Sequence, residues 1–149
     1  MIERFWNDFL KDTNRGCHTQ YVSCFHFELT EHLANELLAL LISGQKRATA
    51  SSLWTYEIEG ERLPRKGDYN IVTDWEGNPR CVIETVNVIL IPFKEMTYEI
   101  CQREGEDKDL ESWRKGHIHF FTEEGKQLGY VFTEEMPVVF EDFEVVYIK

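Results

Sequence analysis

Two β-rich segments joined by a four-residue turn constrain this 149-residue chain more than anything else in it. Asn70–Trp75 and Arg80–Phe93 are dense in β-branched residues, and Glu76-Gly77-Asn78-Pro79 between them is made of turn formers. Together they predict a hairpin, with Pro92 closing the second strand. Val138–Ile148 is a third β-rich stretch near the end. Helical signals fall around these strands without a β-α-β rhythm. That pattern predicts an α+β fold with a mostly antiparallel sheet or small barrel.

The helices are marked by spacing and caps. Ile2, Phe5, Trp6, Phe9 and Leu10 recur every three to four residues, and Asn14-Arg15-Gly16 ends that run. Thr30 is an N-cap for a helix carrying Leu33, Leu37, Leu38 and Leu41, which stops at Ser43-Gly44. Thr97–Arg103 predicts a helix that ends at Gly105, and Asp109 caps another with Leu110, Trp113 and His117 on its inner side. Ala48–Ser52 is small and polar, a loop or short extended segment. The chain has 20 Phe, Trp and Tyr against 13 Gly and Pro, a balance that excludes disorder and suits one domain.

Charge and apolar runs narrow the function classes. The longest apolar run, Leu37–Ile42, is far short of the ~20 residues that cross a bilayer. Charges at the start stand where a signal peptide needs its apolar core, so a cytoplasmic protein is expected. With 16 Lys and Arg against 27 Asp and Glu, the net charge is −11, which disfavours long duplex DNA. Gly44–Gly67 is the exception, at net +2, and is the one segment suited to an anionic ligand. Cys17, Cys24, Cys81 and Cys101 form no C-x-x-C hook; reduced thiols are expected, with two disulfides the alternative in an exported protein.

Few residues carry chemistry. Lys46 and Thr49 place an ammonium and a hydroxyl three residues apart just after a helix; alternatively they are a solvated Lys and a turn Thr. Glu104, just before Gly105, is a carboxylate on a backbone turn that can bend into a cleft. His117 and His119 would diverge by ~200° on a helix and lack a ligand at zinc-site spacing, so no metal or other cofactor is expected. Trp54 and Tyr56, beside the basic segment, suit either the core or a base-stacking surface.

Gly44-x-Lys46-x-x-Thr49 after a leucine-rich helix resembles the G-x-K-x-x-T signature of the ASCH domain. Ala48–Trp54, Pro64-x-x-Gly67-Asp68-Tyr69, and Glu104-Gly105-Glu106 with Leu110-Glu111-x-Trp113-Arg114 resemble a bacterial subgroup of small stand-alone members. The resemblance implies a small PUA-like β-barrel with flanking helices, 1–27 being an N-terminal helix and lead-in and 28–149 the barrel core. It also implies a nucleoside- or RNA-directed function. Some small members are amidohydrolases on acetylated cytidine, with Thr as nucleophile, Lys as its base and a Glu as third member. Those roles would fall on Thr49, Lys46 and Glu104, with Glu84 the next carboxylate in line. Other members are ribonucleases, and a non-catalytic RNA- or nucleotide-binding module is the alternative. Ser51 stands where the wider signature often has an Arg, so Arg47, Arg62 or Arg65 would have to meet a phosphate while Trp54 or Tyr56 stacks on a base. The expected ligand is a nucleoside, nucleotide or short RNA, bound by a monomer or a homodimer.

Overall fold

The computed structural model describes residues 1–149. In chain order the elements are α1 (Ile2–Asp12), β1 (Ser23–Phe25), α2 (Glu31–Ile42), β2 (Ala48–Ser52), α3 (Leu53–Glu59), β3 (Tyr69–Thr73), β4 (Pro79–Pro92), α4 (Tyr98–Cys101), α5 (Leu110–Leu128) and β5 (Pro137–Ile148). The five strands form one sheet in the order β1-β3-β4-β5-β2. Only β1 and β3 run parallel; the other pairs are antiparallel. Register shifts in β4 at Val82/Ile83 and Thr85/Asn87 bend the long β4–β5 ribbon, and the sheet curls into a half-barrel. The expected α+β, mostly antiparallel PUA-like barrel is the fold observed.

Burial on both faces explains why the β3–β4 hairpin reads as near-continuous apolar sequence. Ile71 and Val82 pack under the aromatic face of α1, with Phe5, Trp6 and Phe9. Their neighbours Val72, Cys81 and Ile83 point the other way and pack with Leu37, Leu38 and Leu41 of α2. A third cluster joins Ala48 and Ala50 of β2 and Phe140 of β5 to Trp113 and Phe121 of α5. Thr30 caps α2 as expected, its side chain accepting from Leu33 N at 3.4 Å.

Ala48–Ser52 takes the extended of its two expected forms, a strand paired with Val138–Asp142 of β5. Two elements differ from the sequence expectation. The lead-in before residue 28 supplies β1, which pairs with β3. Seven-residue α3 follows β2 directly; Ser52 caps it, accepting from Trp54 N at 3.1 Å, and Gly60 ends it in the left-handed conformation. Its Trp, Thr, Tyr and Ile are poor helix formers, which hid it in the sequence.

Candidate functional site

The turn after α2 and the turn after α4 are laced together, and that lacing builds the site. Arg47 N donates to Arg103 O at 2.9 Å, and Gln45 Nε2 donates to Gly105 O at 2.7 Å. A Cβ on Gly105, whose φ is +72°, would stand 2.2 Å from Gln45 O. Only glycine allows this approach. Lys46 is thereby pressed between the backbone of β2 and the Glu104–Glu106 turn.

Lys46 is 1% exposed, and its contacts are those of an ammonium. Nζ donates to Ala48 O at 2.7 Å and to Glu106 Oε2 at 2.5 Å, and lies 3.6 Å from Glu104 Oε1. Glu104, 2% exposed, also accepts from Trp113 Nε1 and has His117 Nε2 at 3.4 Å from Oε1. The His117 ring stacks on Trp113 with centroids 4.1 Å apart, and its Nδ1 faces Trp113 O at 2.9 Å. Both ring nitrogens face acceptors, the arrangement of an imidazolium. Burial opposes that charge, but the Glu104 carboxylate outweighs it and His117 is raised to about 9.

The two carboxyls are driven apart. Burial works to raise Glu104, but the charges of His117 and Lys46 and the bonds from His117 and Trp113 hold it below its ordinary value. Glu106 is raised, chiefly by burial, with Lys46 opposing and the Glu104 charge adding to the rise. Glu104, Glu106 and His117 put ligand atoms within 4.8 Å of one another, the spread of a small cation site. The Lys46 ammonium already stands against both carboxylates, and a protonated imidazole has no lone pair to give. This donor set fits its own ammonium, not a divalent ion.

The cluster lines a cavity of ≈ 700 Å³ bounded by β1, β2, α3, α5 and the 59–68 segment. Strand alternation sorts β2: Ala48 and Ala50 enter the core, and Thr49 and Ser51 line the cavity. Eight carboxylate side chains line it, against Lys46 and Arg62 as the lysine and arginine. Arg62 is forked onto Asp68, at 2.9 and 3.0 Å, so little free positive charge remains.

The structure brings Lys46, Thr49, Glu104, Ser51 and Arg62 together around this cavity. It does not bring in Arg47 or Arg65, which are exposed outside it. Trp54, weighed as a stacking surface, packs instead on the core cluster and edge-on to Tyr130; Tyr56 is the aromatic that reaches the cavity. Glu84 sits on β4 opposite Tyr69 and Glu144, away from the cavity lining. Glu106, His117 and Glu141 line the cavity without having been assigned a catalytic role from sequence. His117 was legible as an inner helix residue, and Glu106 as the second acid around Gly105. Glu141 carried no signal of its own, because Asp142 and Glu144 share its strand.

Residues 23–147 match the ASCH domain. A protein from Enterococcus faecalis V583, EF3133, assigned to DUF984, is 33% identical; the match covers 98% of this chain and 88% of that one, with a TM-score of 0.90. An ASCH domain from Lactobacillus crispatus JV V101 is also 33% identical, covering 97% and 93%, with a TM-score of 0.86. The hypothetical protein PH0355, at 22% identity and a TM-score of 0.53 over 84% of this chain and 100% of that one, shares the fold. Among curated proteins, none matches. No helix is long and apolar enough to cross a membrane. With its family match spanning nearly the whole chain and the barrel and laced turns in place, this protein belongs to the ASCH domain family.

Proposed function

We infer that the cavity is a hydrolytic site for the amide bond of an acylated nucleoside, with Thr49 as the attacking hydroxyl. The observation that carries this is the burial of Lys46 and Glu104, 1% and 2% exposed, in the lining of a cavity that Thr49 also lines. Taking each such ion out of water costs several kcal/mol, and apolar residues in place of the whole cluster would serve folding as well or better. Groups held this way in a cleft suit chemistry. Lys46 spends its donors on acceptors, so it acts as a fixed cation near the acyl oxygen, with Glu104 and His117 orienting it. The volume suits a ligand of nucleoside size, and the acidic wall favours an uncharged one over a nucleotide or RNA.

The test incubates the protein with acylated nucleosides, acetylated cytidine among them, and follows the free nucleoside by chromatography. Release of the carboxylic acid, abolished by Thr49→Ala, is expected. Absence of release, with a 5′-monophosphate or short RNA bound more tightly than the nucleoside and more weakly as salt rises, would replace this function with phosphate-directed binding.

A further inference from the structure

We propose that Glu141 is the base that takes the proton from Thr49 Oγ1. This rests on the hydrolytic function above and names the group that function lacks, since Lys46 is already donating to Ala48 O and Glu106.

Register supplies the first reason. β2 and β5 pair so that Thr49 and Glu141 are directly opposite. Opposed residues of an antiparallel pair have Cβ atoms about 4.5–5.5 Å apart on the same face, within reach of a glutamate side chain. Both line the cavity, whereas Phe140, one residue away, enters the core. Burial supplies the second. Glu141 is 8% exposed, and its Oε2 accepts from Thr85 Oγ1 at 2.5 Å. Oε1 takes no hydrogen bond from another residue, which leaves one oxygen anchored and one available. Thr85 lies on β4, so the carboxylate is aimed by a third strand.

The environment suits the task. Burial raises Glu141, the Thr85 bond opposes the rise, and the charge of Asp68 adds to it. A carboxylate raised toward working pH is a better base than a solvated one. Tyr56 is the other titratable neighbour; burial and the Glu141 charge push its phenol up to about 12, so it remains a neutral donor.

The step balances. Thr49 Oγ1 bonds to the acyl carbon as its proton passes to Glu141 Oε1. The C–N bond then breaks and the amine leaves with that proton. Water attacks the Thr49 ester, giving its proton to Glu141; the ester C–O bond breaks, Thr49 recovers a proton, and the carboxylic acid departs.

Acetylation of the whole protein by p-nitrophenyl acetate, mapped by mass spectrometry, tests this without a known substrate. Labelling of Thr49 in the wild type is expected, with Glu141→Gln slowing it ~100-fold or more. Formate restores the rate in Glu141→Ala if the carboxylate is the base, and leaves it unchanged if Glu141 only holds the strand. Should Glu141→Gln lower the unfolding midpoint, Glu141→Asp replaces it, expected ~10-fold or more slower at unchanged stability. Equal Thr49 labelling in wild type and Glu141→Gln overturns the assignment of Glu141 alone. The absence from the wild type of both a Thr49 label and Thr49-dependent release of p-nitrophenol overturns the hydrolytic function as well.

Discussion

His117 is a pH-dependent clamp on the site, and its effect on stability follows from the geometry. Folded, the ring is held as an imidazolium up to about 9 by Glu104; in the unfolded chain it titrates near ~6.5. The folded value is the higher one, so the stabilisation is complete below pH ~6.5 and is lost as pH rises through about 9. At ~1.4 kcal/mol per unit, the gap is worth about 3 kcal/mol, and the side chain is too buried for solvent to erode most of that. Urea unfolding of wild type and His117→Gln, followed by tryptophan fluorescence from pH 6 to pH 10, isolates the effect. Glu106, whose raised carboxyl contributes stability with the same sign at lower pH, remains in both proteins and largely drops out of the difference. The wild-type advantage is expected to shrink by about 3 kcal/mol across the range. Parallel curves for the two proteins would show that Glu104 does not hold the imidazolium and would refute the charge pattern described for the cluster.

Lys46→Met removes the cation that two buried carboxylates share and is expected to cost about 3–5 kcal/mol in urea unfolding, with Glu106→Gln in the same chain recovering part of it. Gly105→Ala sets a Cβ against Gln45 O at a positive φ; a loss of at least ~1–3 kcal/mol is expected by the same assay, and unchanged stability would mean that the two turns are not laced. Acidification is expected to destabilise the protein as pH falls from ~4.3 toward the depressed value of Glu104, and Glu104→Gln removes that component. Arg47→Ala and Arg65→Ala, both outside the cavity, are expected to leave nucleoside binding unchanged by calorimetry.

How much of this was legible depended on whether a signal was local. The caps at Thr30 and Asp109 and the apolar periods of α1 and α2 are written in neighbouring residues, and those helices formed as expected. The β3–β4 hairpin declared itself because both its faces are buried. α3 was invisible because Trp54, Thr55, Tyr56 and Ile58, four of its seven residues, favour strands and outweigh Leu53, Glu57 and Glu59. At the site, Lys46, Thr49 and Glu104 were legible as types at suggestive positions. Glu141 was not, because its place opposite Thr49 is a fact of register between segments some ninety residues apart, set by strand pairing and not by any local pattern.

The basic segment shows why charge along a chain does not give charge in space. Gly44–Gly67 carries net +2 and was the one stretch suited to a phosphate. Folding disperses it: Lys46 is enclosed by Glu104 and Glu106, Arg62 is forked onto Asp68, and Arg47, Arg65 and Lys66 face solvent. The acids that line the cavity come from the lead-in to α2, from α3 and the 59–68 segment, from the turn after α4, and from α5 and β5, parts spread over the chain that the curled sheet collects. A phosphate entering this space would meet carboxylates, whereas a neutral nucleoside would meet hydrogen-bond acceptors and the hydroxyls of Thr49, Ser51 and Tyr56. Affinity for an uncharged nucleoside is therefore expected to change little between low and high salt, while a nucleotide should bind more weakly than its nucleoside, most of all at low salt where repulsion is least screened. Isothermal titration of the same nucleoside with and without its 5′-phosphate, at two salt concentrations, reads both. A nucleotide that binds more tightly than its nucleoside would mean that the acidic wall is not where the ligand lies.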